Sequence, residues 1–280
     1  MLKNIFKTAW RNLLRHRVNT SINVAGLALG IVVCLIIFLL VRFELSYDRF
    51  HPDGDRIYRV VARTVSPDGE GMGGFVTTAM PGALRSEVSG LETVAGFDNL
   101  YCSVEVPRVG KESVVFDAAK HGEETSAIII AQPQYFDIFK YQWLAGNAAT
   151  ALNEPFRVVL TAKEAERYLG PADPDKWLGR TLIYHDSIRV TVSGIVADWK
   201  GNSDFAFRDF ISFPTIKASF LRDDFEESWG MWDFDVQAFV KLAPGVSPAR
   251  VERQLAAMME RHRQGPKEFH TFLSLQPLSD

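Results

Sequence analysis

Cysteine is scarce in this chain: its 280 residues include two, Cys34 and Cys102. The first falls inside a long apolar run and the second stands alone well beyond it. No intramolecular disulfide joins them, so the fold rests on its core rather than on covalent staples. There is no G-x-x-x-x-G-K-[ST]; Gly110-Lys111 lacks the upstream glycine and the hydroxyl that should follow. That absence excludes a P-loop, and any energy from ATP has to come from another chain. G-x-S-x-G is missing too, the nearest approach being Ser193-Gly194 inside a strand-like pattern. His121-Gly122-Glu123-Glu124 is not H-E-x-x-H and reads as a loop. The run Asp223-Asp224-Phe225-Glu226-Glu227 lacks the spaced ligands of a calcium loop and reads as a solvated acidic loop. Trp229, Trp232 and Phe234 read first as core aromatics beside a strand and only second as a binding platform. The residues therefore give no catalytic, cofactor or metal site, and the chain is read as not an enzyme.

Charge is missing where it matters most. Residues 18–41 carry none in 24 positions, and residues 1–42 contain no Asp or Glu at all. A helix of that apolar length spans about 36 Å, enough to cross a hydrocarbon core of about 30 Å. Lys3, Lys7, Arg11, Arg15 and Arg17 precede the run; Arg42, Glu44, Asp48, Asp53 and Asp55 follow it. The positive-inside bias places the N-terminus in the cytoplasm and the rest of the chain across the membrane. Residues 43–280 keep 25 basic and 34 acidic side chains, a net charge of −9 that argues against a nucleic-acid partner. A cleaved signal peptide fits poorly, because its apolar region is shorter and no A-x-A-like site follows.

Two patterns elaborate this anchor. Leu2, Ile5, Phe6, Ala9, Trp10, Leu13 and Leu14 recur at helical spacing, while Lys3, Lys7, Arg11 and Arg15 hold the opposite side. Residues 1–17 are thus predicted to form a basic amphipathic elbow lying on the cytoplasmic leaflet, with Trp10 at headgroup level; the plainer alternative is a helical, positively charged leader to the span. Within residues 18–42, Gly26 and Gly30 form a G-x-x-x-G groove suited to close packing of another helix, although glycine is common in membrane helices anyway.

The remaining residues, 43–280, suffice for one large domain or two lobes. Strands are predicted over 55–63, 100–106, 113–116, 127–131, 157–160, 181–184, 189–196, 210–213, 234–242 and 272–275. Residues 66–74 read as a Gly- and Pro-rich loop. Helices are predicted over 81–94, from Thr161 to a stop at Gly170-Pro171, and from Ser247 to about His262. Thr161-Ala162-Lys163-Glu164 has the form of a capping box. The fold class expected is α+β: an amphipathic helix and one transmembrane helix, then a two-lobed mixed α/β domain.

Several segments resemble MacB/FtsX-type ABC transporter permeases. They begin with Ala9-Trp10-Arg11-Asn12-Leu13-Leu14-Arg15-His16-Arg17 and Ile22-Asn23-Val24-Ala25-Gly26-Leu27-Ala28-Leu29-Gly30. The exit from the span, Glu44-Leu45-Ser46-Tyr47-Asp48-Arg49-Phe50-His51, then Asp55-Arg56-Ile57-Tyr58-Arg59-Val60, continues the likeness. Tyr135-Phe136-Asp137-Ile138-Phe139, Leu144-Ala145-Gly146, Val158-Val159-Leu160-Thr161 and Val192-Ser193-Gly194-Ile195-Val196-Ala197-Asp198 follow in order. The resemblance implies an inner-membrane permease subunit whose residues 43–280 form a periplasmic core domain. It implies a cytoplasmic ABC ATPase that binds the ATP, a homo- or heterodimer of permeases, and a periplasmic or outer-membrane partner protein. On this reading, ATPase motion is coupled to the periplasmic domain for export or mechanotransmission. Such permeases carry further membrane helices, so the chain is expected to be the N-terminal part of one, with residues 273–278 approaching a second span. The alternative is a single-pass anchored periplasmic sensor or adaptor with no transport role. An anchored hydrolase comes last, lacking any catalytic constellation.

Overall fold

The computed structural model describes residues 7, 10, 11, 15–67, 69–108, 110–117, 127–223, 225, 228–229, 232–233, 235–263 and 270–279. The elbow positions Leu2, Lys3, Ile5, Phe6, Ala9, Leu13 and Leu14 lie outside the described residues. So do His121, Glu123 and Glu124, Asp224, Glu226 and Glu227 of the acidic run, and Phe234.

The chain divides into two units, Met1–Tyr47 and Asp48–Asp280. The first is dominated by α1 (Arg17–Glu44), a helix of 28 residues with no buried side chain. At about 1.5 Å per residue it runs roughly 42 Å, and it is long and apolar enough to cross a bilayer. Arg42 sits in its last turn, where a cation suits the exposed carbonyls.

The second unit runs β1 (Ile57–Ser66), β2 (Gly69–Gly73), β3 (Val76–Thr77), α2 (Met80–Glu87), β4 (Leu91–Asn99), β5 (Ser103–Val106), β6 (Val114–Asp117), β7 (Ile128–Ala131), α3 (Gln134–Phe139), β8 (Trp143–Gly146), β9 (Arg157–Thr161), α4 (Ala162–Leu169), β10 (Thr181–Tyr184), β11 (Ile188–Val196), β12 (Asp209–Ser212), α5 (Pro214–Ala218), β13 (Trp232–Asp233), β14 (Val236–Leu242), α6 (Pro248–Arg261) and β15 (His270–Pro277). Among the described residues thirteen of these strands form one sheet, in the order β15-β1-β14-β4-β7-β12-β9-β11-β10-β5-β6, with β2 added to β1 and β8 to β11. The pairs β7–β12 and β9–β11 are parallel; the rest are antiparallel.

The strand period of two explains how one sheet makes two lobes. On one face Phe97, Ile129, Val159, Phe210 and Phe239 join a single aromatic-rich core beneath α3. Their immediate neighbours turn the other way and separate. Val94, Val240 and their partners pack under α2 and α6, while Ile130, Val158, Leu160 and Ile211 pack with α4 and α5. The lobes are thus two halves of one sheet, fused on one face and divided on the other.

Three expectations are corrected. The helix predicted over 81–94 stops at Glu87, because Gly90 turns the chain at φ +88 and β4 begins at Leu91. The Gly-rich stretch after Ser66 is not all loop: Gly69–Gly73 pairs with β1, whose backbone donors and acceptors need a neighbour whatever side chains that neighbour carries. The strand predicted over 272–275 lies within β15, which pairs with β1 from Val65↔His270 to Tyr58↔Pro277. The capping box does not form. Thr161 makes no side-chain cap, Glu164 turns to Arg167 at 3.1 Å, and the Lys163 N–H donates to Asp198 Oδ2 at 3.0 Å. An aspartate from beyond β11 therefore does the work expected of a local hydroxyl.

Candidate functional site

Gly26 and Gly30 lie one turn apart on α1, and a Cβ added at either would meet nothing within 4 Å. Lys7, Trp10, Arg11 and Arg15 are exposed; Lys3 lies outside the described residues. These residues belong to the first unit, and the chemistry of the second begins where that unit begins, at Asp48.

Asp48 takes up the left-handed conformation, at φ +53, which a short polar side chain tolerates. Its carboxylate is 2 % exposed and fully engaged. Ser203 Oγ donates to Oδ1 at 2.5 Å, the Asp204 N–H to Oδ2 at 3.2 Å, and His51 Nε2 lies 3.2 Å from Oδ1. The Asp48 N–H in turn donates to the Asn202 carbonyl. The His51 ring is held edge-on to Trp199 and Phe139, and Phe50 covers it at 4.3 Å. Gly201 makes this possible, since a Cβ there would fall 2.5 Å from the Phe50 ring. The first residues of the domain are thus bonded into the β11–β12 loop and wedged into the shared aromatic core.

A second set of contacts follows within one turn. Lys241 on β14 is 5 % exposed, and its Nζ donates to Asp53 at 2.8 Å and lies 3.0 Å from Glu92 on β4. Arg56 completes the square, reaching Glu92 at 2.6 Å, Asp53 at 3.2 Å and the Leu242 carbonyl at 2.7 Å. Hydrogen bonds from Lys241 and then Arg56 hold Asp53 below its ordinary carboxylate range; for Glu92 Arg56 contributes more and Lys241 less. Burial would lower Lys241, but its bonds to Asp53 and Glu92 raise it. The Leu278 N–H donates to the Ile57 carbonyl at the same end, so entering β1 and leaving β15 lie side by side. Residues 48–57 are fastened to both halves of the sheet.

The far half holds a different centre. Asp209 is 1 % exposed, with Tyr184 donating to Oδ2 at 2.6 Å and Tyr168 at 3.1 Å. Burial, and then the like charge of Glu164, pushes its carboxyl up to about 7 against those two hydrogen bonds. Burial likewise pushes the nearby Cys102 thiol up to about 12, which leaves it an unreactive thiol. Ser193 donates to the carbonyls of Ala151 and Val158, a structural role with no base beside it. Among the described residues no group of three His, Cys, Asp or Glu gathers as a metal centre would require. This arrangement can fasten residues 48–57 and take up a proton at Asp209.

Asp48, His51 and Asp55-Arg56 lie in the exit segment that carries the family resemblance, and no motif in the sequence marks them as a site. Their signal was charge and histidine packed among aromatics just after an apolar span. Asp209 left a fainter one, a lone carboxylate at the head of the apolar run Phe210-Ile211-Ser212-Phe213.

A family model described as the MacB-like periplasmic core domain matches residues 20–258. Among solved structures, a domain of a protein assigned as a permease from Porphyromonas gingivalis is similar over 82% of this chain and 92% of its own, at 22% identity and a TM-score of 0.64. The periplasmic region of MacB from Actinobacillus actinomycetemcomitans is similar over 78% of this chain and 89% of its own, at 16% identity and a TM-score of 0.49. No curated protein matches.

Proposed function

Because this chain belongs to the family of the MacB-like periplasmic core domain, we propose that it is the N-terminal part of an ABC transporter permease, a transport component rather than an enzyme. On this reading α1 anchors it in the inner membrane with its N-terminus in the cytoplasm, and Asp48–Asp280 works in the periplasm. A separate cytoplasmic ATPase binds the ATP. The elbow residues Lys3, Lys7, Trp10, Arg11 and Arg15 lie along the inner leaflet, and Gly26 and Gly30 receive a helix of the same or a partner permease. A periplasmic or outer-membrane protein receives the motion.

The observation that carries this reading is the fastening of residues 48–57. A passive tether needs only a flexible joint. Here the segment that follows the apolar helix in the chain is bonded to the β11–β12 loop, β14 and β4 within ten residues. Displacement of that segment would carry both halves of the sheet with it.

The test is isolation of the native protein from its own membranes in mild detergent. The expected result is a stoichiometric partner chain bearing a P-loop, with vanadate-sensitive ATP hydrolysis in the complex. Recovery of the chain without an ATPase would overturn the permease and leave the anchored sensor or adaptor.

A further inference from the structure

The divided face of the sheet leaves a gap where the two half-cores part, and that gap is a cleft of about 160 Å³. It lies over β4 at Gly96 and Asp98, with the first turns of α2 on one side and Phe213 and Phe225 on the other. Phe225 packs against both half-cores and so closes the far wall. The cleft sits at a fork: β4 pairs with β7 only from Phe97 to Asn99 and has no partner on that edge nearer Val94 among the described residues. The Val94 carbonyl exposed by the fork accepts from Arg85 Nε at 3.4 Å and Nη2 at 3.1 Å. Nη2 also donates to the Gln132 side-chain carbonyl. The guanidinium is therefore fixed in orientation by neutral acceptors, and it has no carboxylate partner among the described residues. Its surroundings lower its basicity through lost hydration.

A pre-oriented cation at one end of an apolar slot is a recognition element for a carboxylate attached to an apolar group. Asp98 lies two strand pleats beyond Val94, at the other end of the cleft. We propose that this cleft binds a small apolar monocarboxylate, with the carboxylate on the Arg85 guanidinium and the apolar chain against Pro81, Phe213 and Phe225. Both an acyl chain and the C-terminal residue of a peptide have this chemistry. The volume admits a short chain or one side chain, not a whole drug-sized molecule.

The experiment uses the full chain in lipid nanodiscs and ligand-observed NMR titration with two probes, hexanoate and N-acetyl-leucine. Each is compared with its neutral amide. The acids are expected to bind about tenfold more tightly than the amides, the worth of one charge-assisted contact. Saturation by hexanoate alone marks an acyl ligand; saturation by N-acetyl-leucine marks a peptide end. Arg85→Gln should bring each acid to the level of its amide. Arg85 also caps Val94, so a second variant leaves that bond untouched. Gly82 lines the cleft, and a Cβ there meets nothing within 4 Å, so Gly82→Leu should fill the slot and abolish binding at undiminished thermal stability. Equal affinity for acids and amides, no saturation by any probe, or unchanged binding in Gly82→Leu would each overturn the proposal. None of these outcomes bears on whether an ATPase co-purifies.

Discussion

The two halves of the sheet treat their charge in opposite ways. In the half built on β1, β14 and β4, Lys241 and Arg56 meet Asp53 and Glu92, opposite signs in contact. In the half built on β9–β12, Asp209 meets two tyrosine hydroxyls and the like charge of Glu164. The first arrangement holds both carboxylates ionised over all ordinary pH. The second makes ionisation itself costly. One half is therefore a fastening indifferent to protons, and the other is a centre that registers them. The aromatic face they share decides whether these differences stay local.

The largest effect tests that sharing. Phe97 pairs across the fork with Ala131 and meets Tyr135, Phe207 and Phe239 at ring-centroid distances of 5.7, 5.1 and 5.9 Å. Phe97→Ala should cost about 3–5 kcal/mol by cavity formation and lower one cooperative unfolding transition for the whole of Asp48–Asp280. Two separated transitions in calorimetry, with only one displaced, would show that the halves are independent and that the contrast between them is merely local.

Next comes the proton-sensitive centre. The folded carboxyl of Asp209 stands near 7, above its reference of 3.8. Between those values the folded state keeps a proton that the unfolded chain has lost, so stability falls as pH rises from about 4 to 7. Asp209→Asn removes that slope. It should leave stability near pH 4 almost unchanged and raise it by about 3 kcal/mol at pH 8, read from urea melts at both values. A variant that is less stable at pH 8 would mean that Asp209 is ionised and well paired, erasing the contrast.

Asp48 is expected to matter less, and in a different way. Asp48→Ala deletes the acceptor for Ser203, the Asp204 N–H and His51, at a cost of about 2 kcal/mol. Asp48→Asn, which keeps an acceptor and tolerates φ +53, should recover most of it. Hydrogen exchange across 48–57 is the sharper readout, because the loss should release this segment before the sheet. Uniform exchange in both variants would mean that residues 48–57 are held by the aromatics alone.

How legible was this in the sequence? The apolar span, β10 and β11 around His185-Asp186, and α6 behind Ser247-Pro248 all follow from local pattern, because each is settled within a few residues. His185 and Asp186 do take positive φ values, as a tight hairpin requires. The failures share a different cause. β2 is a strand because β1 offers it an edge, α4 is capped by Asp198 from beyond β11, and Arg56 finds Glu92, and Lys241 finds Asp53, at separations no window covers. The α3 segment, six residues with four buried, carries part of the family resemblance but is too short for a helical period to declare itself. The candidate site was least legible of all, since it depends on which strands become neighbours.

The smallest expected effect closes the comparison, since it concerns the paired charges themselves. Asp53 and Glu92 have folded values below their ordinary ones, so their contribution is present above about pH 4 and is lost as pH falls through the lowered folded values. That slope is opposite in sign to the one Asp209 imposes. Glu92→Gln leaves Arg56 and Lys241 with Asp53 and should change Tm at pH 7 by no more than about 2 °C, as half-exposed ion pairs do. It should also flatten the acid limb of the stability profile while leaving the decline between pH 4 and 7 intact. Combined with Asp209→Asn, the two changes should add, because they act on separate charge clusters in different halves. A strongly non-additive double variant would show that charge in one half is felt in the other through the shared aromatic face. Proton uptake near Asp209 would then alter the fastening of residues 48–57.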